Sequence, residues 1–142
     1  MSNPVSKDIA DYLAVNGVGI LGSQTAGQWG IFIGHEPELN NPTITIYDTP
    51  GEEPNPKFRL DKPRFQVRVR STNYLTSMNK CQEIKDKLLG LTSGEIGGTW
   101  YVGIWGVLDV HNLGADAKGR EIAVCTFRVI REPTTGDHRI PL

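Results

Sequence analysis

Hydrophobic and polar residues alternate most regularly in the segment RFQVRVRS, residues 64–71. Successive side chains of a strand point to opposite faces, so Phe65, Val67 and Val69 would share a buried face and the arginines would share the other. Four further segments either alternate in this way or are apolar and rich in aromatic and β-branched residues, which favour strands. The predicted strands are residues 29–34, 43–49, 64–71, 99–110 and 121–132.

Two segments show a period of three to four residues instead, which predicts helices. In residues 4–15, Asn3 suits the N-cap, Pro4 the first helical position, and Asn16-Gly17 the C-terminal stop. The second helix is predicted between a cap at Thr72 or Asn73 and a stop at Gly90. The apolar face of the first helix is predicted to contain Val5, Ile9, Tyr12 and Leu13. That of the second is predicted to contain Tyr74, Leu75, Met78, Cys81, Ile84, Leu88 and Leu89.

The order of these elements predicts an α+β fold: a mainly antiparallel sheet of four to five strands with two helices packed on one face. Residues 64–71 and 99–110, with a helix between them, suit a split β-α-β unit. The other sheet face would carry the arginines. We expect a single domain over residues 1–142, with a proline-rich, charged projecting loop near residues 49–63. The polar residues 132–142 are expected to form an extended C-terminal arm.

The charge balance argues against a dedicated nucleic-acid or membrane-surface binder, which usually carries a strong basic excess. Lys and Arg number 15 against 16 Asp and Glu, a formal net charge of −1. No signal peptide or membrane-spanning segment is predicted, so we expect a protein made and used in a cytoplasm, or in something assembled there. Cys81 and Cys125 lie within apolar patterns and are predicted to be small buried side chains.

The motifs that could carry chemistry are weak. Residues 17–22 (GVGILG) match a dinucleotide-binding spacing, but here a helix precedes and a strand follows, so the motif predicts a turn. Glu52 and Glu53 are adjacent carboxylates on a proline-rich loop without apolar surroundings that could shift their pKa values. The histidines are far apart and have no second ligand at helical spacing: His35, His111 and His138. We therefore predict no enzyme, no cofactor and no metal site.

The arginine face has three interpretations. It could be a solvated face, as antiparallel sheets commonly have. It could bind nucleic acid, which would require exposed aromatic residues or a positive net charge. It could also be an interface, because the neighbouring loop is acidic and the two charged surfaces could pair head to tail between subunits, a contact that can close into a ring. The residues of this candidate interface are Asp48, Glu52, Glu53, Arg64, Arg68, Arg70 and Arg128.

Four segments, in this order and spacing, resemble the minor capsid or tail terminator proteins of long-tailed bacteriophages. They are YLAVNGVGILG, PTITIYDTPGEEP, PRFQVRVRSTNY and LGADAKGREIAVCTFRV, and the resemblance covers roughly residues 8–131. Pro50-Gly51 stands where paired glycines are expected. The matching positions are Gly19, Gly22, Thr49, Pro50, Gly51, Val67, Arg68, Val69, Arg70, Tyr74, Gly114, Asp116, Gly119 and Arg120.

The resemblance implies a virion protein, assembled in the host cytoplasm, that forms a six-membered ring at the head-proximal end of the tail. The ring would stop growth of the tail tube and provide the head-joining surface, without catalytic residues or cofactors. Its implied partners are other copies of itself, the tail tube protein and a head-completion or connector protein, with DNA passing through the lumen only as cargo. Another neck or tail-completion component remains an alternative. A nucleic-acid-binding module and a small hydrolase or transferase are further alternatives, the last requiring an apolar pocket with convergent polar groups.

Overall fold

The computed structural model describes residues 3–23, 25, 27–38, 42–51, 61–91 and 93–132. These residues form two helices, α1 (Val5–Val15) and α2 (Tyr74–Leu89). They also form seven strands: β1 (Ile20–Leu21), β2 (Gly30–Ile33), β3 (Thr43–Thr49), β4 (Arg64–Ser71), β5 (Gly94–Ile96), β6 (Thr99–Ala115) and β7 (Glu121–Arg131).

The strands form one mixed sheet, curled into a half-barrel, in the order β1-β2-β3-β4-β7-β6-β5. The pairings β1–β2 and β2–β3 are parallel, and the others are antiparallel. The α+β class is consistent with this structure, and most pairings are antiparallel as predicted, but the predicted number of four to five strands is wrong because the sheet has seven and includes two parallel pairings. β1 and β5 have only two and three residues, too few for an alternating pattern to be recognised. β3 begins beside the start of β2, with Thr43 opposite Gly30, so the two strands are parallel.

The predicted split β-α-β unit is confirmed. β7 lies between β4 and β6 and is antiparallel to both, so β4 and β6 run parallel with α2 in the connection between them. Phe65 of β4 lies opposite Phe127 of β7, and their rings stack with centroids 5.1 Å apart. Val67 and Val69 continue this row, and both helices contribute to the same apolar core. The alternating apolar positions of the sequence therefore form the face that packs against the helices.

Helix α2 begins at the predicted place and buries only part of the predicted face. The Asn73 side chain accepts a hydrogen bond from the Thr76 amide, so the predicted cap is confirmed. The buried side chains are Ser77, Cys81, Ile84 and Leu88, whereas Tyr74, Leu75 and Leu89 are exposed. The predicted face is wrong at these positions because Ser77 occupies a core position. Its hydroxyl lies 2.6 Å from the Ser71 hydroxyl and donates to the Glu121 carbonyl at 2.9 Å.

Helix α1 receives its N-terminal cap from a distant strand. Pro4 occupies the N-cap position and has no side-chain donor or acceptor, so the predicted cap at Asn3 is wrong. Asp48 of β3 accepts hydrogen bonds from the Ser6 amide at 3.0 Å and from the Ser6 hydroxyl at 2.6 Å. A carboxylate at a helix N-terminus satisfies free amides and complements the helix dipole. Asp48 therefore holds α1 against β3.

Strand β6 extends beyond its predicted end. Residues 111–115 lie beyond the predicted strand 99–110 but pair with β7 up to Ala115 opposite Glu121. Four register shifts interrupt this pairing. Bulges of this kind accommodate extra residues and increase the bend of a sheet, so a glycine- and asparagine-rich segment can remain in the strand. Residues 17–19 form the predicted helix-to-strand turn, in which Gly17 has a φ of 76°, but Ile20 and Leu21 of the same motif form β1, and Gly22, with a φ of 66°, follows it.

Three further expectations concern the two cysteines, membrane-spanning segments, and the predicted loop and C-terminal arm. Cys81 and Cys125 are buried free thiols, as predicted. Within the described ranges, neither helix is long and apolar enough to cross a membrane. The projecting loop near residues 49–63 and the C-terminal arm 132–142 lie mostly outside the described residues, which omit 52–60 and 133–142.

Candidate partner-binding face

The sheet face that points away from the helices, called the outer face here, carries the arginines. Arg64, Arg68 and Arg70 alternate with the core residues of β4, and Arg128 of β7 lies directly opposite Arg64. The outer face therefore unites all four arginines of the candidate interface. Asp48 lies on the helix face instead, since it neighbours Phe65 in the register and contacts α1.

At one end of this face, the paired end, Arg68 and Arg70 share the carboxylate of Glu36. Arg68 Nε lies 3.5 Å from Glu36 Oε2, and Arg70 Nη1 lies 3.5 Å from Glu36 Oε1. Arg70 is only 3 % exposed and donates a 2.5 Å hydrogen bond to the carbonyl of Pro37. Burial lowers the pKa of the Arg70 guanidinium, and the charge of Glu36 opposes that shift. The segment after β2 thus folds over the outer face and supplies its counter-charge.

The β6–β7 turn extends this network. Lys118 donates to Glu38 at 3.2 Å, and the resulting hydrogen bond and charge lower the pKa of Glu38. Asp116 accepts from Arg120 Nε at 2.7 Å and from the amides of Lys118 and Arg120, both at 2.9 Å. The Arg120 amide is the main cause of the lowered pKa of Asp116. Gly119 has a φ of 75°, a conformation that favours glycine. This turn accounts structurally for Asp116, Gly119 and Arg120 in the matching motif.

The other end, the open end, consists of Arg64, Arg128 and Trp105. No carboxylate among the described residues forms an ion pair with either arginine, and the Nε atoms of both are buried without a hydrogen-bond partner there. Like charges directly opposite each other on a sheet repel. The Arg128 guanidinium lies over the Trp105 ring, 5.6 Å from its centroid. The open end thus presents two adjacent cations and an aromatic ring that is 41 % exposed.

The local backbone explains the position of the Trp105 ring. Gly103 and Trp105 are two residues apart on β6, and a Cβ atom at Gly103 would come within 2.8 Å of the indole ring. Only glycine leaves room for the ring to lie flat against the strand. The ring in this position forms a platform beneath Arg128, and cation–π contacts of this type contribute about 0.5–1 kcal/mol at exposed sites.

The open end also lies beside the base of the predicted acidic loop. Thr49 pairs with Arg64, and a Cβ atom at Gly51 would contact the Lys62 carbonyl at 2.5 Å, so the two sides of the loop are close together at its base. Glu52 and Glu53 follow directly in the sequence but lie outside the described residues. The contact between these glutamates and the arginines therefore stays a prediction.

A second charged cluster, buried on the helix side, was not predicted from the sequence. Tyr101 donates a 2.7 Å hydrogen bond to Asp8, whose side chain is fully buried. Arg131 lies 3.5 Å from the same carboxylate oxygen and donates to Tyr101 at 3.3 Å and to the Asn3 carbonyl at 2.8 Å. Burial and the neighbouring Asp8 raise the pKa of Tyr101. Because these groups satisfy one another, we interpret the cluster as a structural link between α1, β6 and β7. The position of Asp8 on the apolar side of α1 was the feature that could have revealed it.

The described residues do not form a metal site, and the depression that they form on α2 lacks the lining of a substrate pocket. No three His, Cys, Asp or Glu side chains in this part of the chain could hold a metal ion. A depression on the exposed side of α2 is lined by Asn79, Gln82, Glu83, Asp86 and Lys87. These side chains are all polar or charged, whereas substrate pockets are lined mainly by apolar groups. Glu36, which follows His35 in the sequence, serves as the counter-ion of two arginines.

Comparisons with known proteins point to one context. A family model described as bacteriophage tail terminator protein matches residues 12–133. A chain in the solved structure "Virion of native gene transfer agent (GTA) particle" has a TM-score of 0.59 and 12 % identity, covering 92 % of this chain and 96 % of that chain. This level of identity indicates a shared fold alone. Among curated proteins, none matches the chain significantly.

Proposed function

Since the chain belongs to the bacteriophage tail terminator family, we propose that it forms a ring that caps the tail tube, stops its polymerisation and provides the head-joining surface. A structural role in tail completion follows from the family itself. The single observation that carries the finer proposal is the family match over residues 12–133, which includes every described strand and α2. The outer face supports this proposal, because its open end presents two cations and an exposed aromatic ring that can bind a partner protein. Its described residues do not bring catalytic groups together.

The proposed ring contains six copies and lies at the head-proximal end of the virion tail after assembly in the host cytoplasm. One rim contacts the tail tube protein, and the other contacts a head-completion or connector protein. DNA passes through the lumen as cargo and is not a recognised ligand. A closed head-to-tail ring needs only one type of subunit contact, repeated around the axis.

Tail length tests the capping role directly. Deleting the gene from the phage should give tubes of uncontrolled, excessive length in electron micrographs, and expression of the intact chain in trans should restore the normal length. Normal-length free tails in the deletion would contradict the proposal. That result would instead favour a neck or tail-completion component that acts after the length has been set.

Within the ring, the outer face contacts the acidic loop of the neighbouring copy, chiefly through Arg64 and Arg128. Arg68 and Arg70 already share Glu36 in their own chain, so they contribute less to this contact. Two arginines next to each other provide a favourable site for two carboxylates. Glu52 and Glu53 are the proposed carboxylates.

Mixing two charge-reversed chains distinguishes contacts between copies from contacts within one chain. A chain with Arg64→Glu and Arg128→Glu should fail to assemble alone, and so should a chain with Glu52→Lys and Glu53→Lys. A mixture should assemble again, because each face then meets an arm of opposite charge and a six-membered ring can alternate the two chains. Assembly is measured by native mass spectrometry and by electron microscopy of tail tubes incubated with the protein.

A matched control separates specific pairing from a change of net charge. Lys7→Glu with Lys87→Glu alters the net charge equally on exposed helix positions and should leave assembly intact. If mixing does not restore assembly while a single chain carrying all four reversals does, the contact lies within one chain. If neither restores it, Glu52 and Glu53 are not the partners of the arginines.

A nucleic-acid-binding role is the second candidate, favoured by one specific observation. Trp105 is exposed beside Arg128, and aromatic rings next to arginines can stack with unpaired bases. This role predicts binding of short single-stranded DNA that quenches tryptophan fluorescence and weakens steeply with salt. Tight binding by the wild type that is lost in Trp105→Ala would favour it over the ring contact as the purpose of the open end.

A further inference from the structure

The charge-free parts of the sequence form the two opposite edges of the sheet. The two longest runs without Asp, Glu, Lys or Arg are residues 12–35 and 96–108. The first contains β1 and β2, at one end of the strand order, and the second contains Ile96 of β5 and the first ten residues of β6, at the other end. Interface centres are depleted in charged residues. Both edges therefore have the composition of an interface.

The β6 edge is long and unprotected. β5 pairs only with Thr99, Trp100 and Tyr101, so residues 102–115 have no strand partner on that side in the described part of the chain. Exposed edge strands usually carry lysine, proline or other charges that prevent pairing with another chain. Residues 102–108 carry none of these. The exposed apolar side chains along β6 are Trp100, Val102, Trp105, Val107, Leu108 and Leu113, and Leu108 is 56 % exposed.

The β1 edge presents a matching surface. Ile20 is 51 % exposed, and Leu21 and Ile33 are also exposed large apolar residues. β1 pairs with β2 on one side, and its other side has no strand partner among the residues that the structure describes. Joining this edge to β6 would bury apolar side chains on both surfaces and would desolvate no charge within either run, so no unpaired charge would oppose association.

We infer that the β6 edge of one copy binds the β1–β2 edge of the next copy, extending the sheet across the subunit boundary. The two edges differ, so the contact is heterologous and can repeat around a ring. Main-chain hydrogen bonds between edge strands and the exposed apolar side chains both stabilise such a contact. This inference rests on the proposed ring and identifies its subunit contact, to which the charged pairing of the outer face adds.

Substitution by lysine at each edge tests the contact. Leu108→Lys and Ile20→Lys should each weaken assembly at least tenfold in native mass spectrometry and on isolated tail tubes. Leu75→Lys is the matched control, because Leu75 is 65 % exposed and belongs to α2 rather than to either edge strand, and this variant should assemble normally. Thermal unfolding should be unchanged in all three variants. Unimpaired assembly of Leu108→Lys, or equal loss in Leu75→Lys, would overturn the inference.

Cross-linking determines the polarity of the contact. Cys81 and Cys125 are buried, and burial raises their pKa values to about 12 and about 11, so a bismaleimide should not react with them in the folded protein. A chain with both Leu108→Cys and Ile20→Cys should give a ladder ending in a closed ring, whereas each single variant should remain uncross-linked. Dimers of the Leu108→Cys single variant would indicate contact between two β6 edges and overturn the inference.

The outcomes also separate this inference from the proposed function. Rings that form normally without cross-links in the double-cysteine chain would refute the edge contact and leave tail capping intact. Normal-length tails in the gene deletion would refute tail capping, whatever the cross-links show. Absence of any oligomer, with or without tail tubes, would refute both.

Discussion

At the paired end of the outer face, Arg68 and Arg70 lie 3.5 Å from one carboxylate, whereas at the open end Arg64 and Arg128 face each other with no carboxylate among the described residues. The same alternation of β4 produces both ends. Only the segment folded over the sheet, which carries Glu36, distinguishes them. An arginine stripe in a sequence therefore does not indicate which of its members are available to a partner.

The two ends should contribute to different properties: the arginines of the paired end to stability, and those of the open end to recognition of a partner. Breaking a buried ion pair leaves a charge without compensation, which destabilises the fold. Removing one of two neighbouring like charges relieves repulsion and has little cost. We therefore expect substitutions at the paired end to affect folding and those at the open end to affect assembly. Four predictions, from the largest expected effect to the smallest, test this division.

The largest effect is expected for Arg70→Ala. The substitution removes the donor to the Pro37 carbonyl and one of the two cations beside Glu36. We expect the free energy of unfolding to fall by about 2–4 kcal/mol, measured by urea denaturation. Arg64→Ala is the matched control and should change it by less than about 0.5 kcal/mol. Equal losses in the two variants would remove the distinction between the ends.

Glu36→Gln should have the next largest effect. The amide keeps the shape of the side chain but leaves Arg68 and Arg70 close together without their shared counter-charge. We expect a loss of about 1–3 kcal/mol in the free energy of unfolding. Combining Glu36→Gln with Arg70→Ala should cost less than the sum of the single changes, since both disrupt one network. Strictly additive losses would show that Glu36 and Arg70 do not interact.

Arg64→Gln should leave stability almost unchanged or raise it by about 0.2–1 kcal/mol, because it relieves repulsion from Arg128. The sharper measurement is the effect of salt on the free energy of unfolding. Salt screens the repulsion at the open end and should stabilise the wild type more than Arg64→Gln. The same salt response in both proteins would indicate that a counter-charge outside the described residues already neutralises Arg64.

The smallest effect is a pH dependence at the turn beside the paired end. The folded-state pKa values of Glu38 and Asp116 lie below their ordinary values of 4.5 and 3.8. The two ionised carboxylates therefore contribute their full stabilisation at a pH above the ordinary pKa values. This stabilisation is lost as the pH falls through the lowered folded-state pKa values. Melting temperatures measured from pH 6 to pH 3 should fall less in Asp116→Asn than in the wild type. The control Glu95→Gln, on the exposed β5 position, should keep the wild-type slope.

The predictable parts of the fold were those in which local pattern and tertiary environment agree. The bounds of β3 and β4 match the predicted residues 43–49 and 64–71, because apolar residues recur at every second position over most of each strand. The placement of Arg128 beside Arg64 followed from the same alternation once β7 paired with β4. In contrast, β1 and β5 are too short to leave a pattern, and Ser77 occupies a core position through hydrogen bonds that the sequence does not indicate.

The candidate site was only partly predictable for a similar reason. Residue type and alternation placed the four arginines on one face, but their partners come from distant segments. Glu36 reaches the face from the connection between parallel strands β2 and β3, a topology that alternation cannot predict. Asp48 is an acidic residue beside the predicted loop and was assigned to the candidate interface, yet its carboxylate caps α1. Such pairings depend on long-range geometry, for which local residue patterns carry no information.

The link between Asn3 and Arg131, 128 residues apart, has a consequence for protein synthesis. At about 5–20 residues per second, roughly 6–25 s separate the translation of these two residues. Until the end of that interval, the nascent helix α1 cannot bury Asp8 beside Arg131. The first helix to leave the ribosome can therefore contact β3 through Asp48 early, but it completes its buried charged cluster only after β7 has emerged, and a chain truncated before β7 should leave Asp8 without its arginine.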